Sequence, residues 1–85
     1  MDAQEVIKYP VSTERTLRTM EAENKLLFVV DRKATKADVK KAVESMFKVK
    51  VVDVNTYIIL GKKKAYVKLS KDNPAIDIAT QLGMM

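Results

Sequence analysis

Apolar and polar positions follow different rhythms along this chain, and each rhythm predicts an element. Leu26-Leu27-Phe28-Val29-Val30 is apolar at every position. A run this short, rich in β-branched and aromatic residues, predicts a strand covered on both faces, hence a central one. After it, Val39, Ala42, Val43, Met46 and Phe47 recur at helical spacing behind Thr35-Lys36-Ala37-Asp38, a capping box with Asp in the usual Glu place. Lys36, Lys40, Glu44 and Lys48 stand four apart on the other face, where two steps suit ion pairs. From Val49 to Leu60 the pattern alternates. Val52, Val54, Thr56, Ile58 and Leu60 are expected on one side, with Val51, Asp53, Asn55, Tyr57 and Ile59 on the other. Gly61 marks a turn. Beyond it Ala65, Val67 and Leu69 point inward, and Tyr66 and Lys68 point away.

The ends are less regular. Glu5–Tyr9 is a short apolar stretch stopped by Pro10, which predicts an edge strand or extended arm. Ser12 or Thr13 caps a short helix reaching about Glu21, with Leu17 and Met20 inward. Asn73-Pro74 opens a last helix, Asn as cap and Pro at the first position, packed by Ile76, Ile78, Ala79 and Leu82 and ended by Gly83. The order is strand, helix, strand, helix, strand, strand, helix. A helical crossover makes the strands at 26–30 and 49–60 parallel, and the hairpin return lies between them, antiparallel to both. The expected fold is of the α+β type: one domain over residues 1–85, with a small, mostly antiparallel four-stranded sheet, a split βαβ unit and helices packed on it, ferredoxin-like in outline.

Composition narrows the chemistry. The chain has no cysteine and no histidine, so disulfides, zinc fingers and thiol or imidazole catalysis are excluded. No metal and no cofactor is expected. No glycine-rich phosphate loop exists, and Glu14 and Glu21 sit seven apart on a short surface helix, where carboxylates are solvated. An enzyme is not expected. No signal peptide or membrane span is expected either, which reads as a cytoplasmic protein without membrane insertion.

The net charge of +5 is unevenly spread. Residues 1–30 carry −1, 31–50 carry +4 and 62–85 carry +3. Lys62, Lys63 and Lys64 are placed on a turn that feeds a strand, and Lys68 and Lys71 extend the charge. Tyr66 shares a side with Lys68, so a ring and an ammonium can face one phosphate backbone. The same residues also suit a solubilising turn that blunts a sheet edge, with Tyr66 packed under a helix. The RNA-recognition-motif strand pattern, K/R-G-F/Y-G/A-F-V-x-F/Y, is met only in its later half by Ala65-Tyr66-Val67-Lys68. Lys63-Lys64 stands where Gly and the first stacking aromatic belong. The sheet is therefore expected to hold RNA backbone and shape rather than to read single-stranded bases. A small RNA-recognition-motif-like RNA-binding domain or a protein adaptor is the alternative.

Lys63-Lys64-Ala65-Tyr66-Val67-Lys68-Leu69-Ser70, with Ile78 beyond it, resembles the ribosomal protein L-twenty-three family of the large subunit, in its archaeal form. Val6-Ile7-Lys8-Tyr9-Pro10-Val11-Ser12-Thr13-Glu14-Arg15 is similar to the family's N-terminal segment, with Arg15 for Lys. Leu27–Asp31, Val52–Thr56 and Pro74–Ala79 resemble its strands and closing helix. The resemblance implies binding of large-subunit ribosomal RNA beside the polypeptide exit tunnel. It implies as partners a neighbouring tunnel-rim protein, the signal recognition particle and the translocon, and no small-molecule substrate. It implies RNA contacts from Lys62, Lys63, Lys64 and Lys68, from Asn55 and Thr56, and from Lys8, Tyr9, Pro10, Thr13, Glu14 and Arg15. The short, apolar Tyr57–Leu60 approach departs from the family pattern. The hairpin also lacks the longer loop of bacterial members, which implies a clamp at the tunnel rim rather than a reach into the tunnel.

Overall fold

A computed structural model describes residues 2–83. The elements are α1 (Ala3–Val6), β1 (Ile7–Pro10), α2 (Glu14–Glu23), β2 (Lys25–Val30), α3 (Lys36–Phe47), β3 (Val51–Ile59), β4 (Lys62–Leu69) and α4 (Ala75–Gln81). The sheet order is β1-β2-β4-β3, and every neighbouring pair is antiparallel. β4 therefore lies between the parallel strands β2 and β3, as the crossover and hairpin predict. β2 is central and buried along its apolar run, also as predicted. The edge strand is Ile7–Pro10, not Glu5–Tyr9: a one-turn helix takes Glu5 and Val6, and Pro10 is the last strand residue. α1 lacks a side-chain cap and persists by packing against α3, a tertiary cause that local pattern does not carry.

The two longer helices start as their sequences dictate. The Thr13 hydroxyl accepts the Thr16 N–H (3.2 Å), and the Thr16 hydroxyl accepts the Thr13 N–H (2.7 Å), closing a capping box with Thr at the third position. Thr35 and Asp38 close the second box, at 3.2 and 3.0 Å. The backbone N–H of Thr35, and then its hydroxyl, hold the Asp38 carboxyl below its ordinary pKa.

α4 departs from expectation. Asn73 does not cap it. Its Oδ1 accepts the Lys50 N–H at 2.9 Å, and Pro74 stands at the cap position without a side-chain bond. The first helical N–H, that of Ala75, is instead taken by Oδ1 of Asn24 at 2.6 Å, across 51 residues of chain. Asn24 ends α2 in the left-handed conformation (φ 56°), and its Nδ2 donates to the carbonyls of Leu69, Ser70 and Asn73 at 3.0–3.3 Å. One amide thus joins the end of α2, the end of β4 and the start of α4.

The core lies on one face of the sheet. Leu26, Phe28 and Val30 of β2 meet Ala65, Val67 and Leu69 of β4 and Val39, Ala42 and Val43 of α3. Phe28 and Phe47 stack with ring centres 6.1 Å apart. Each large side chain buried this way stabilises the fold by about 1.5–3 kcal/mol. Two expected core positions, Met46 and Ile76, are exposed. The expected faces of β3 also need correction at its start. The ladder shifts register between Val51 and Asp53, so Val51 is buried and Val52 is exposed. Among the described residues the ion pairs are Arg18–Glu14 and Lys25–Glu23. Glu44 pairs with neither lysine, because its carboxylate accepts the Val51 N–H at 3.2 Å.

Candidate nucleic-acid interface

The turn of the β3–β4 hairpin is Leu60-Gly61, both at positive φ (53° and 79°), with Ile59 opposite Lys62. Two left-handed residues in a two-residue loop make the tight turn whose twist suits a hairpin. Lys62, Lys63 and Lys64 are therefore strand residues rather than turn residues. Strand parity divides them: Lys62, Lys64, Tyr66 and Lys68 share one side, and Lys63 lies on the other with Ala65 and Val67. Lys63 is half-buried there. Its ammonium donates to the Ala34 carbonyl at 2.6 Å, fastening the loop before α3 to the hairpin.

Directly opposed residues of a ladder share a side. Tyr66 stands opposite Leu27 and Asn55, Lys64 opposite Val29 and Tyr57, and Val29 opposite Tyr9. The face away from the core thus gathers Tyr9, Asn55, Tyr57, Lys62, Lys64, Tyr66 and Lys68. Tyr57 and Tyr66 stack at 5.8 Å between centroids, inclined 26°. Partial burial, and then Tyr66, push the Tyr57 phenol above its ordinary pKa, while Arg15 pulls it the other way. Arg15 reaches this face from α2. With Thr19, Glu23, Lys25, Asn55 and Tyr66 it lines a shallow hollow of about 210 Å³. The Lys62 ammonium lies 3.5 Å from the Tyr9 hydroxyl, joining the hairpin to the sheet edge at β1.

The remaining sequence candidates fall elsewhere. Thr56 is opposite Ala65 and Pro10 is opposite Phe28, so both lie toward the core side. The Thr13 hydroxyl is occupied in the α2 cap, and Glu14 holds Arg18 at 2.7 Å. Lys8 is exposed where β1 shifts register, between Ile7 and Tyr9.

A model of the family described as ribosomal protein L23 matches residues 5–78. The chain belongs to the ribosomal protein L23 family. It is 52% identical over 85 residues to the large ribosomal subunit protein uL23 of Methanococcus aeolicus, covering 99% of both chains. It is 48% identical to the protein of the same name from Methanococcus maripaludis, again over 99% of both. These archaeal relatives agree with the archaeal form expected from the family resemblance. In this L23-family chain, sequence pattern alone missed Arg32 and Lys33. Both lie in the loop after β2, beside Tyr9 and Lys62. The +4 balance of residues 31–50 held the signal, without saying which of its cations meet the hairpin.

Proposed function

We propose that this chain is a structural constituent of the large ribosomal subunit, binds large-subunit ribosomal RNA and performs no catalysis. The observation that carries the reading is the face away from the core, where Arg15, Lys62, Lys64 and Lys68 surround a stacked tyrosine pair. The cations release counterions from phosphates, and the Asn55 amide and tyrosine hydroxyls fix register on the RNA backbone. Lys62, Lys64 and Lys68 are held on a β-ladder at spacings of about 6.7 Å per two residues, so little backbone ordering remains for binding. Family membership supports a position beside the polypeptide exit tunnel, next to another rim protein, where the signal recognition particle and the translocon dock. The hairpin turn of only two residues favours a clamp at the rim over a probe of the tunnel. The test is co-sedimentation with large subunits, together with filter binding to a large-subunit RNA transcript across a salt series. Affinity is expected to fall with salt at a slope set by the phosphates contacted. Binding that ignores salt would refute the proposal.

A further inference from the structure

At the hairpin end of this face, Lys8, Tyr9, Arg32, Lys33, Gly61 and Lys62 enclose a groove of about 500 Å³. That size falls within the range of small-ligand sites, roughly 300–1,000 Å³. Its floor is the end of β2 at Val29–Val30, and one wall carries the Tyr9 ring, whose residue is 46% exposed. Five cationic side chains line the groove against one carboxylate. That carboxylate, of Asp31, is turned into its own loop, where it accepts the Lys33 N–H at 2.8 Å. Lys63 is fastened to the Ala34 carbonyl. The exposed charges at the rim are therefore those of Lys8, Arg32, Lys33 and Lys62.

We infer that this groove receives one unpaired nucleotide of the bound RNA, its base against Tyr9 and its phosphate among Arg32, Lys33 and Lys62. The inference rests on the RNA-binding reading above. A site for a bare anion has no use for an aromatic wall and an apolar floor. A paired helix presents its phosphates on a convex surface and keeps its bases stacked inside, so it offers no base to the Tyr9 wall of this open groove. An unpaired nucleotide offers a π-face and a phosphate together, which is the combination that lines the groove.

The test has two arms. In the first, a large-subunit RNA transcript is titrated by filter binding against the wild type, Tyr9→Ala and Tyr9→Phe. Tyr9→Ala is expected to weaken binding about tenfold, the loss of one base–aromatic stack, and Tyr9→Phe to stay within about twofold. In the second, AMP, adenosine and inorganic phosphate are added to the labelled wild type and to Arg32→Gln/Lys33→Gln, and amide shifts are followed by NMR. AMP is expected to move the amides of Tyr9, Arg32, Lys33 and Gly61 more than phosphate does, and the double variant to lose most of that response. Because Arg32 and Lys33 are exposed loop residues, this arm holds even if Tyr9→Ala fails to fold. If the wild type binds RNA while Tyr9→Ala binds equally well, or if phosphate alone reproduces the AMP shifts, the groove assignment falls and RNA binding stands. If the wild type binds no RNA, both fall.

Discussion

Asn24 offers a way to weaken this fold without touching its apolar core. Its side chain makes four hydrogen-bond contacts: Nδ2 with the carbonyls of Leu69, Ser70 and Asn73, and Oδ1 with the Ala75 N–H. Asn24→Gly keeps the left-handed backbone and removes all four. Two amide protons serve the three carbonyls, so their loss amounts to about two neutral bonds, or ~1–3 kcal/mol. Ala75 is fully buried, and an orphaned N–H there costs a further ~1–3 kcal/mol unless water enters. A total of about 2–6 kcal/mol is expected, which lowers the melting temperature by roughly 10–40 °C in a domain of this size. Asn24→Ala should lose about 1 kcal/mol more, because φ is 56° there. Asn24→Asp separates bonding from space-filling. It retains an acceptor for Ala75 but turns an anionic oxygen toward three carbonyls, so at neutral pH it should be at least as damaging as Asn24→Gly. Urea unfolding with an unchanged m-value is the assay. An Asn24→Gly variant within about 0.5 kcal/mol of the wild type would refute the staple, and equal losses for Gly and Ala would refute the backbone part of the argument.

Strand parity predicts that Lys62→Gln with Lys64→Gln flattens the salt slope of RNA binding by about 1.5, at roughly 0.7–0.9 per lost phosphate contact. Lys63→Gln should leave that slope unchanged and lower stability by about 1 kcal/mol through its bond to Ala34; parallel salt titrations and melts check both. The folded pKa of Asp38 lies below its ordinary 3.8, so its contribution is complete above that value and is lost as pH falls through the folded one. Asp38→Asn should therefore flatten the acid limb of stability against pH, and an unchanged limb would reject its role in the cap. Leu60 sits 97% exposed at φ 53°, so Leu60→Asn should stabilise the hairpin by ~0.5–1 kcal/mol, read as a raised melting temperature.

Periodicity carried the fold where burial is local and regular. The unbroken apolar run of β2 is legible as a central strand, and Thr35 with Asp38 as the start of α3. The place of β4 between β2 and β3 follows from a helical crossover and a tight turn. What was not legible depends on distant contacts. The shift between Val51 and Asp53 moves Val51 inward and Val52 out, and no feature of that alternating stretch marks it. Asn24 lies beyond the helix end expected at about Glu21, and nothing near it points to carbonyls 45–49 residues away. For the same reason Arg32 and Lys33 were legible as charge but not as neighbours of Tyr9. Which loop faces which hairpin is a property of the packed sheet.

The lysine run shows how one composition signal divides into two physical jobs. Read as a turn, Lys62-Lys63-Lys64 would present three equivalent charges. Held in a ladder, the same residues alternate. The outer pair adds to the field of Arg15 and Lys68, and the middle one becomes a fastener whose ammonium satisfies a loop carbonyl. That fastener also serves the face it does not join. It draws the loop before α3 to the hairpin, and the neighbouring Arg32 and Lys33 are carried on the far end of that same loop, at the groove beside Lys62. A neutral residue at 63 would therefore affect the interface through geometry rather than charge. It should weaken groove contacts at every salt concentration by a constant factor, whereas loss of Lys62 or Lys64 weakens binding most at low salt, where released counterions contribute most.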